Sequence, residues 1–372
     1  MSNIAIIKKD LPSLGQGGGL EKATRRIVDA FQQKGSHVTL LTTGSPSGYR
    51  ALTCQLKSYF KFRRLIEFDN WCQKTVQSQS FDVILSMDRA SLQTHHRAGN
   101  GVHAAYLALR QKYEGLLRGW TFPINPLHQT ILKLEKATFE DPRLRGIIVN
   151  SHLVRRQILE FYSTSPDKIH VVHNGVEWQE MESDFNTAFV SKHQIAKELG
   201  LKIDCLNFLF VGHNFQRKGL TPLLYALSHL QNKNFHLSVV GTDKNPNAFR
   251  KLCQQLDLSQ HVTFFGPQPS LRPFYQVADA LVLPSLYDPF ANVTVEALAM
   301  GLFVITSSTN GGHEVLTKSS GITLETPHSV EELTAALTLA LNKTLSSAQT
   351  IRSSVQHLDF TGQLGKVCQI CC

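Results

Sequence analysis

The chain has few of the features that would place it outside the cell or inside a membrane. Only seven of its 372 residues are cysteine, scattered at positions 54, 72, 205, 253, 368, 371 and 372, which is no disulfide framework. The terminal Cys368-x-x-Cys371-Cys372 has no second pair or histidine cluster near it in sequence, so reduced thiols of a cytosolic protein are the expectation rather than a metal site. No apolar run reaches the roughly 18 residues of a membrane span. The opening MSNIAIIKKD carries a four-residue apolar stretch with basic residues after it, unlike a signal peptide. Hydrophobic content of 42% with 18% charged residues belongs to a folded chain, and the length suits two domains of about 150–200 residues.

Acidic residues are scarce in the first half. Residues 1–175 carry 24 Lys+Arg against 13 Asp+Glu, a surplus of +11, whereas residues 176–372 carry 14 against 16, or −2. Stretches such as KSYFKFRRL and LRQKYEGLLRGWTF interleave the cations with aromatics. That pattern suits an anionic membrane surface or a phosphorylated acceptor. Nucleic acid is the rival partner, but no helix-turn-helix, zinc or RNP pattern accompanies the charge, so no nucleic-acid role is expected. A merely solvated basic face also fits.

Short β-rich runs alternate with helical stretches along the whole chain, the signature of parallel α/β architecture. NIAIIK, HVTLLTT, FDVILSM and RGIIVNS read as strands, with the amphipathic LEKATRRIVDAFQQKG between the first two. The pattern restarts after KIHVVHNGV with LNFLFVG, FHLSVVG, VTFFG, ADALVLPS and FVITSS, interleaved with helices. Two doubly wound Rossmann-like domains are predicted, 1–173 and 174–350, with a ligand cleft at their strand ends and residues 351–372 as a tail crossing back to the first.

Nucleotide motifs of other classes are missing. GQGGGLEKA fails G-x-G-x-x-G because Leu20 stands at the third glycine, and the second strand ends without an acid for a ribose. No G-K-[ST] follows, which removes a P-loop. Gly17, Gly18 and Gly19 still precede a helix, where bare backbone and free amides can approach an anion, or simply make a flexible turn. Arg25 and Arg26 on that helix are candidate acceptor contacts or ordinary surface charges.

The second half holds denser chemistry. FVGHNFQRKG puts Arg217 and Lys218 at the carboxyl end of a strand, a fork and a point charge for a diphosphate. YDPFANVTVEALAMG sets Asp288 eight positions before Glu296. Ala291, Asn292 and Val293 fall where a helix begins, so their amides can cap a phosphate. Glu296 has the reach for a ribose diol, and Asp288 for hydroxyls of a transferred sugar. Alone, Glu296 also reads as a solvated helix carboxylate and Asp288 as a partner of the helix N-terminal dipole.

These stretches resemble the retaining GT-B glycosyltransferases, a group built around E-P-F-G-x-x-x-x-E-A. The likeness spans nearly the whole chain: GGLE, VNSHLVRRQILEFYSTSPDKIHVVHNGVE, the run from Gly212 to Gly219, Asp288 to Glu296, and NGGHEVL at 310–316. VGHNFQRKG and HRAGNGVHAAYLALR look like the enzyme that adds glucose to a heptose of the lipopolysaccharide inner core. The resemblance implies a hexosyltransferase using a nucleoside-diphosphate sugar, expected to be UDP-linked, on a glycan or lipid-linked acceptor, with retention of configuration and no metal. It implies a cytoplasmic enzyme peripheral on the inner membrane face. Lys218 with Arg217 would hold the diphosphate, Glu296 the ribose, Asp288 the donor sugar, and Gly18 and Gly19 would lie against both. Phe265 and Gly266 of FFGP would place backbone against the base, and Asn100 and His103 would stand near the reacting centre. Asp288 is one methylene shorter than the group's usual Glu, Ala291 replaces its glycine, and Asn100 cannot take a proton. These departures admit a non-catalytic glycan- or membrane-binding alternative.

Overall fold

The computed structural model describes residues 2–11, 19–114, 122–342 and 345–372. They form two compact units: Met1–His173 joined by Thr361–Cys372, and Asn174–Phe360.

The first unit is built on a seven-stranded parallel sheet of β1 (Asn3–Ile7), β2 (His37–Thr42), β3 (Ala51–Thr53), β4 (Val83–Ser86), β5 (His95–Arg97), β6 (Gly146–Val149) and β7 (Ile169–Val171), in the order 3-2-1-4-5-6-7. Its central strands are apolar on both faces because helices cover both, and Ile4 to Ile7 are all buried. The helix Gly19–Gln33 turns Ile27, Val28 and Phe31 inward at helical spacing. Three-residue strands β3, β5 and β7 are too short to show a period in sequence. β5 is also entirely polar, His-His-Arg, and buried; its histidines have partners, the Ser86 hydroxyl lying 2.7 Å from His96 Nδ1 and the Thr94 hydroxyl 3.0 Å from His95 Nδ1.

The second unit carries β8 (Leu206–His213), β9 (Phe235–Thr242), β10 (Val262–Gly266), β11 (Ala280–Leu283), β12 (Phe303–Ser307) and β13 (Gly321–Leu324), all parallel, in the order 10-9-8-11-12-13. Counted within the unit this is 3-2-1-4-5-6. The first unit has the same order with one strand added. Strand direction of winding therefore reverses between β1 and β4 in one unit and between β8 and β11 in the other, the places where such sheets open a crevice at their carboxyl ends.

The return to the first unit begins at Thr361, not at 351. Ile351, Val355 and Leu358 are buried in the core of the second unit, whereas Val367, Cys368 and Cys371 of the helix Phe360–Cys371 pack with Ile27, Val28 and Phe31 in the first. Cys368 and Cys371 are thus core packing, while Cys372 is exposed. No helix of the described residues is long and apolar enough to cross a membrane.

Two glycines let the ends of the second sheet close up. Gly241, with φ +124°, faces Gly212 so tightly that a Cβ would lie 2.0 Å from the Gly212 carbonyl oxygen, and at Gly219, with φ +85°, it would lie 2.1 Å from that of Pro284. Gly200 also has positive φ (+67°), but nothing lies within 4 Å of its Cβ position. Gly200→Ala should therefore cost only the left-handed backbone penalty, about 1–2 kcal/mol. Gly241→Ala adds a steric overlap to a strained backbone and should cost clearly more than the roughly 1–3 kcal/mol of strain alone. Denaturant titration of the two variants checks this; equal losses would refute the packing argument.

Candidate active site

In the second unit β8 ends beside a tight turn. Asn214, itself at φ +62°, caps the short helix Phe215–Lys218 by accepting from the Arg217 amide at 3.1 Å. The left-handed Gly219 then folds the chain back. This brings the Lys218 methylenes across Gly212, where a Cβ would come within 2.9 Å of Lys218 Cγ. Only glycine at 212 leaves that path open. Lys218 Nζ donates to Asp288 Oδ2 at 2.5 Å, and Arg217 Nη1 donates to the Tyr287 carbonyl at 2.7 Å and to the same carboxylate oxygen at 3.3 Å. Asp288 Oδ1 accepts from the Phe290 amide at 3.2 Å. Burial alone would raise the Asp288 pKa, but the Lys218 and Arg217 charges outweigh it and hold the carboxyl below its ordinary 3.8. The sequence assigned the cations and the acid to different parts of a ligand. The structure joins them in one triad at the β8/β11 switch point, with Lys218 and Asp288 buried and Arg217 partly exposed.

Beyond Asp288 the chain enters the helix Asn292–Ala299, with Ala291 as its cap residue. The Ala291 amide is not free for an anion: it donates to Asn310 Oδ1 at 3.0 Å. Asn310 also accepts from the Gly312 amide at 3.1 Å and donates to Thr294 and Thr306 hydroxyls at 3.2 and 2.8 Å, which fills its hydrogen-bonding capacity. The amides of Asn292 and Val293 remain as first-turn donors without an intrahelical acceptor. Glu296, one turn inside, accepts from the Tyr275 hydroxyl at 2.7 Å; burial and that carboxylate push the Tyr275 pKa far up, so the phenol stays a donor. At the other end Arg352 Nη1 bonds the Ala299 carbonyl, with its guanidinium 3.9 Å over the Trp178 ring. Phe265 packs edge-on against Phe274 with centroids 4.9 Å apart, and its carbonyl accepts from Gln268 Nε2 at 2.8 Å. Gly266 follows at φ +71° with open space around it.

In the first unit Gly18 lies outside the described residues, and Gly19 is the first residue of the helix Gly19–Gln33. The β1/β4 switch point carries a cluster that sequence reasoning missed. Buried Lys8, just past β1, pairs with Asp88, just past β4, and with Glu21, each at 3.3 Å; the Lys9 amide donates to Asp88 Oδ2 at 2.8 Å. The available signal was positional: a cation directly after IAII and an acid soon after VILS. Arg25 does not face solvent. It is buried beside the Tyr49 phenol, next to the helix face that holds Ile27 and Val28, while Arg26 is half-exposed.

Asn100 is exposed in the turn before the helix His103–Glu114. His103 begins that helix, and its Nε2 lies 3.0 Å from His128 Nδ1. Burial and the nearby Arg89 charge press the His103 pKa down to about 4, against an opposing pull from Glu135, so the imidazole is neutral at pH 7. Glu135, fully buried and unforeseen, organises this corner. It accepts from the amides of His103 (2.8 Å) and Ala104 (3.0 Å), from Arg89 Nε (2.7 Å) and from the Tyr162 hydroxyl (2.6 Å).

Two doubly wound parallel-sheet units in one chain, each with charged groups gathered at its switch point, are the GT-B architecture of glycosyltransferases. The relatives agree: residues 191–356 match the family model of glycosyl transferases group 1, and residues 17–180 match that of glycosyltransferase family 4. One match falls on each half of the chain and both are glycosyltransferase families, so the chain is a glycosyltransferase whose second half resembles group 1. It is 24% identical over 341 residues to the lipopolysaccharide glucosyltransferase WaaG of Escherichia coli K12, covering 88% of this chain and 87% of that one. The crystal structure of WaaG, a glycosyltransferase involved in lipopolysaccharide biosynthesis, superposes with a TM-score of 0.82 at 22% identity over 99% of both chains. Anabaena HepE, solved in complex with UDP-glucose, superposes with a TM-score of 0.73 at 15% identity, again over 99% of both.

The triad makes stability depend on pH. Because the Asp288 pKa is lowered on folding, its stabilisation is fully present above the unfolded value near 3.8 and is lost as pH falls through the folded value. Asp288→Asn should cost about 3 kcal/mol near pH 7, where it strands two partly buried cations. The gap to the parent should narrow below pH 4. Urea titrations across pH test the sign; a gap that widens in acid would contradict it.

Proposed function

We propose that the protein moves a hexose from a UDP-sugar to a hydroxyl of a glycan or lipid-linked acceptor, with retention of configuration, in lipopolysaccharide-core or related cell-envelope glycan synthesis. The observation that carries the reading is the Lys218–Arg217–Asp288 triad at the switch point of the second unit, followed one helix further by Glu296 held by Tyr275. As the glycosidic bond breaks, the leaving diphosphate gains negative charge. Lys218, Arg217 and the amides of Asn292 and Val293 supply the fixed counter-charge for it, so the reading needs no resident metal. Glu296 accepts from the ribose hydroxyls with its carboxylate already oriented by the phenol. Asp288, within reach of the same cations, takes hydroxyls of the donor sugar, and Phe265–Gly266 offers backbone to the base. UDP as the nucleotude carrier is supported by the UDP-glucose complex of HepE, and the glycan class by what WaaG is named for. Retention rests on the family resemblance. His103, neutral and paired with His128, is the candidate proton acceptor near the acceptor hydroxyl; Asn100 serves only as a hydrogen-bonding group.

The acceptor belongs to the first unit on this reading, together with a peripheral place on the anionic inner face of the cytoplasmic membrane. The basic stretch that begins the helix Lys61–Gln77 supports it. Tyr59 is 99% and Phe60 61% exposed, and Arg63 stacks 5.6 Å over Phe60 and 5.8 Å over Phe62, with Lys57, Lys61 and Arg64 alongside in sequence. Exposed aromatics among cations suit an interface of headgroups and acyl chains.

Lys218→Ala and Glu296→Ala should each lower turnover with UDP-glucose by about 10²–10³, as for removal of one key electrostatic donor or orienting group. UDP should raise the melting temperature of the parent and not of Glu296→Ala. Near-full turnover in Lys218→Ala at saturating donor would defeat the assignment. For the membrane part, Arg63→Glu with Arg64→Glu should abolish salt-sensitive co-sedimentation with phosphatidylglycerol vesicles; retention of binding would remove this surface from the reading.

A further inference from the structure

A groove with a basic lining stands apart from the switch points. In the first unit, edge strand β7, the opening turn of the helix His152–Phe161 and the return helix Phe360–Cys371 enclose an open groove of about 490 Å³. Its polar lining is His152, Arg155, His170, Lys366 and Gln369, over an apolar floor that includes Ile370, and no carboxylate lines it. Among the described residues Arg155, His170 and Lys366 form no salt bridge. Ordinary surfaces mix their charges; a concave stretch lined by several cationic or protonatable groups and by no carboxylate of its own keeps a net positive potential, although Asp167 acts on His170 from outside the lining. The helix beginning at His152 adds the positive end of its dipole.

The groove is built rather than accidental. At Gly146 an added Cβ would meet His95 Cδ2 at 3.0 Å and Ile370 Cγ2 at 3.3 Å, so the absence of a side chain there lets the return helix seat on the sheet beside β7. The interior behind it senses the charge. Burial together with Arg145 and His170 holds His95 at about 4. Asp167, the acid that feels His170, is already engaged by the Ser165 hydroxyl and the Lys168 charge.

We propose that this groove binds a phosphate monoester dianion, with Arg155 and Lys366 as its principal counter-charges and Gln369 as a neutral donor. The volume accommodates a phosphorylated monosaccharide as well as free phosphate. The proposal concerns the first unit alone and does not depend on the transfer reading.

Inorganic phosphate and glucose 6-phosphate serve as probes, with glucose as the uncharged control, followed by calorimetry and by the imidazole resonances of His152 and His170. Because the groove is open to solvent, a dissociation constant on the order of 1 mM is expected for phosphate. Arg155→Gln with Lys366→Gln should weaken it about 10-fold or more, as two charge-assisted contacts are lost. Lys218→Ala should leave it unchanged, which separates this groove from the donor site. Tighter binding of glucose 6-phosphate than of phosphate supports a phosphorylated sugar as occupant, and equal binding supports the free anion. Unmoved imidazole resonances, undiminished binding in the double variant, or loss of binding in Lys218→Ala would each overturn the proposal. The parent's resonances decide the matter even if the double variant fails to fold.

Discussion

The contact between Lys218 and Asp288 is the constraint around which the second unit is arranged. Burying an ammonium and a carboxylate costs several kcal/mol apiece, and only close pairing with further hydrogen bonds repays it. The local chain is organised to meet that requirement. Gly212 has no side chain to block the lysine stem, Gly219 turns the backbone so that the lysine points back along β8, and Arg217 and the Phe290 amide satisfy what Lys218 leaves unfilled. The aspartate backbone is fixed as well, bonded on both sides to the segment of Thr309 and Gly311. Glycines, turn and triad form one interdependent unit, and it sits at the β8/β11 reversal of the strand order, where such sheets open a crevice.

The first unit repeats the scheme with other residues. A lysine past its first strand meets an aspartate past its fourth, and Glu21 from the following helix joins them. Here two acids surround one cation, whereas in the second unit two cations surround one acid. A shared strand order thus puts opposite local charge at equivalent places. The large positive surplus of the first unit then belongs to other parts of its surface, the aromatic stretch around Tyr59 and the groove beside β7.

Much of this was legible in the chain. Apolar runs alternating with amphipathic helices fix the doubly wound architecture because each strand must be covered on both faces. The spacing from Asp288 to Glu296 marks a strand end, a loop and a helix start. What stayed hidden depends on partners distant in sequence. Whether the Ala291 amide is available is decided by Asn310, nineteen residues on. Arg25 looks like any surface cation until Tyr49 is placed beside it. Glu135 sits in a stretch of ordinary helix formers, and nothing local tells that two amides, an arginine and a tyrosine converge on it. The polar strand His95–Arg97 defeats periodicity because its burial is made tolerable by hydrogen bonds rather than by apolar side chains. The tail boundary moved for a similar reason, since Arg352 is required by the Ala299 carbonyl and the Trp178 ring.

That last contact bears on how such a site acts. The helix Asn292–Ala299 is pinned at its start by Asn310 and at its end by Arg352, and between them Ala297 and Ala299 are fully buried. Its first-turn amides and Glu296 therefore have fixed directions before any ligand arrives, and Tyr275 removes the rotational freedom of the carboxylate. Stabilisation of developing charge is effective when dipoles need no reorganisation as the reaction proceeds. In the triad the same logic applies to charge: Lys218 is already buried and, with the partly exposed Arg217, held by Asp288, so under the proposed function a diphosphate would compete with one carboxylate.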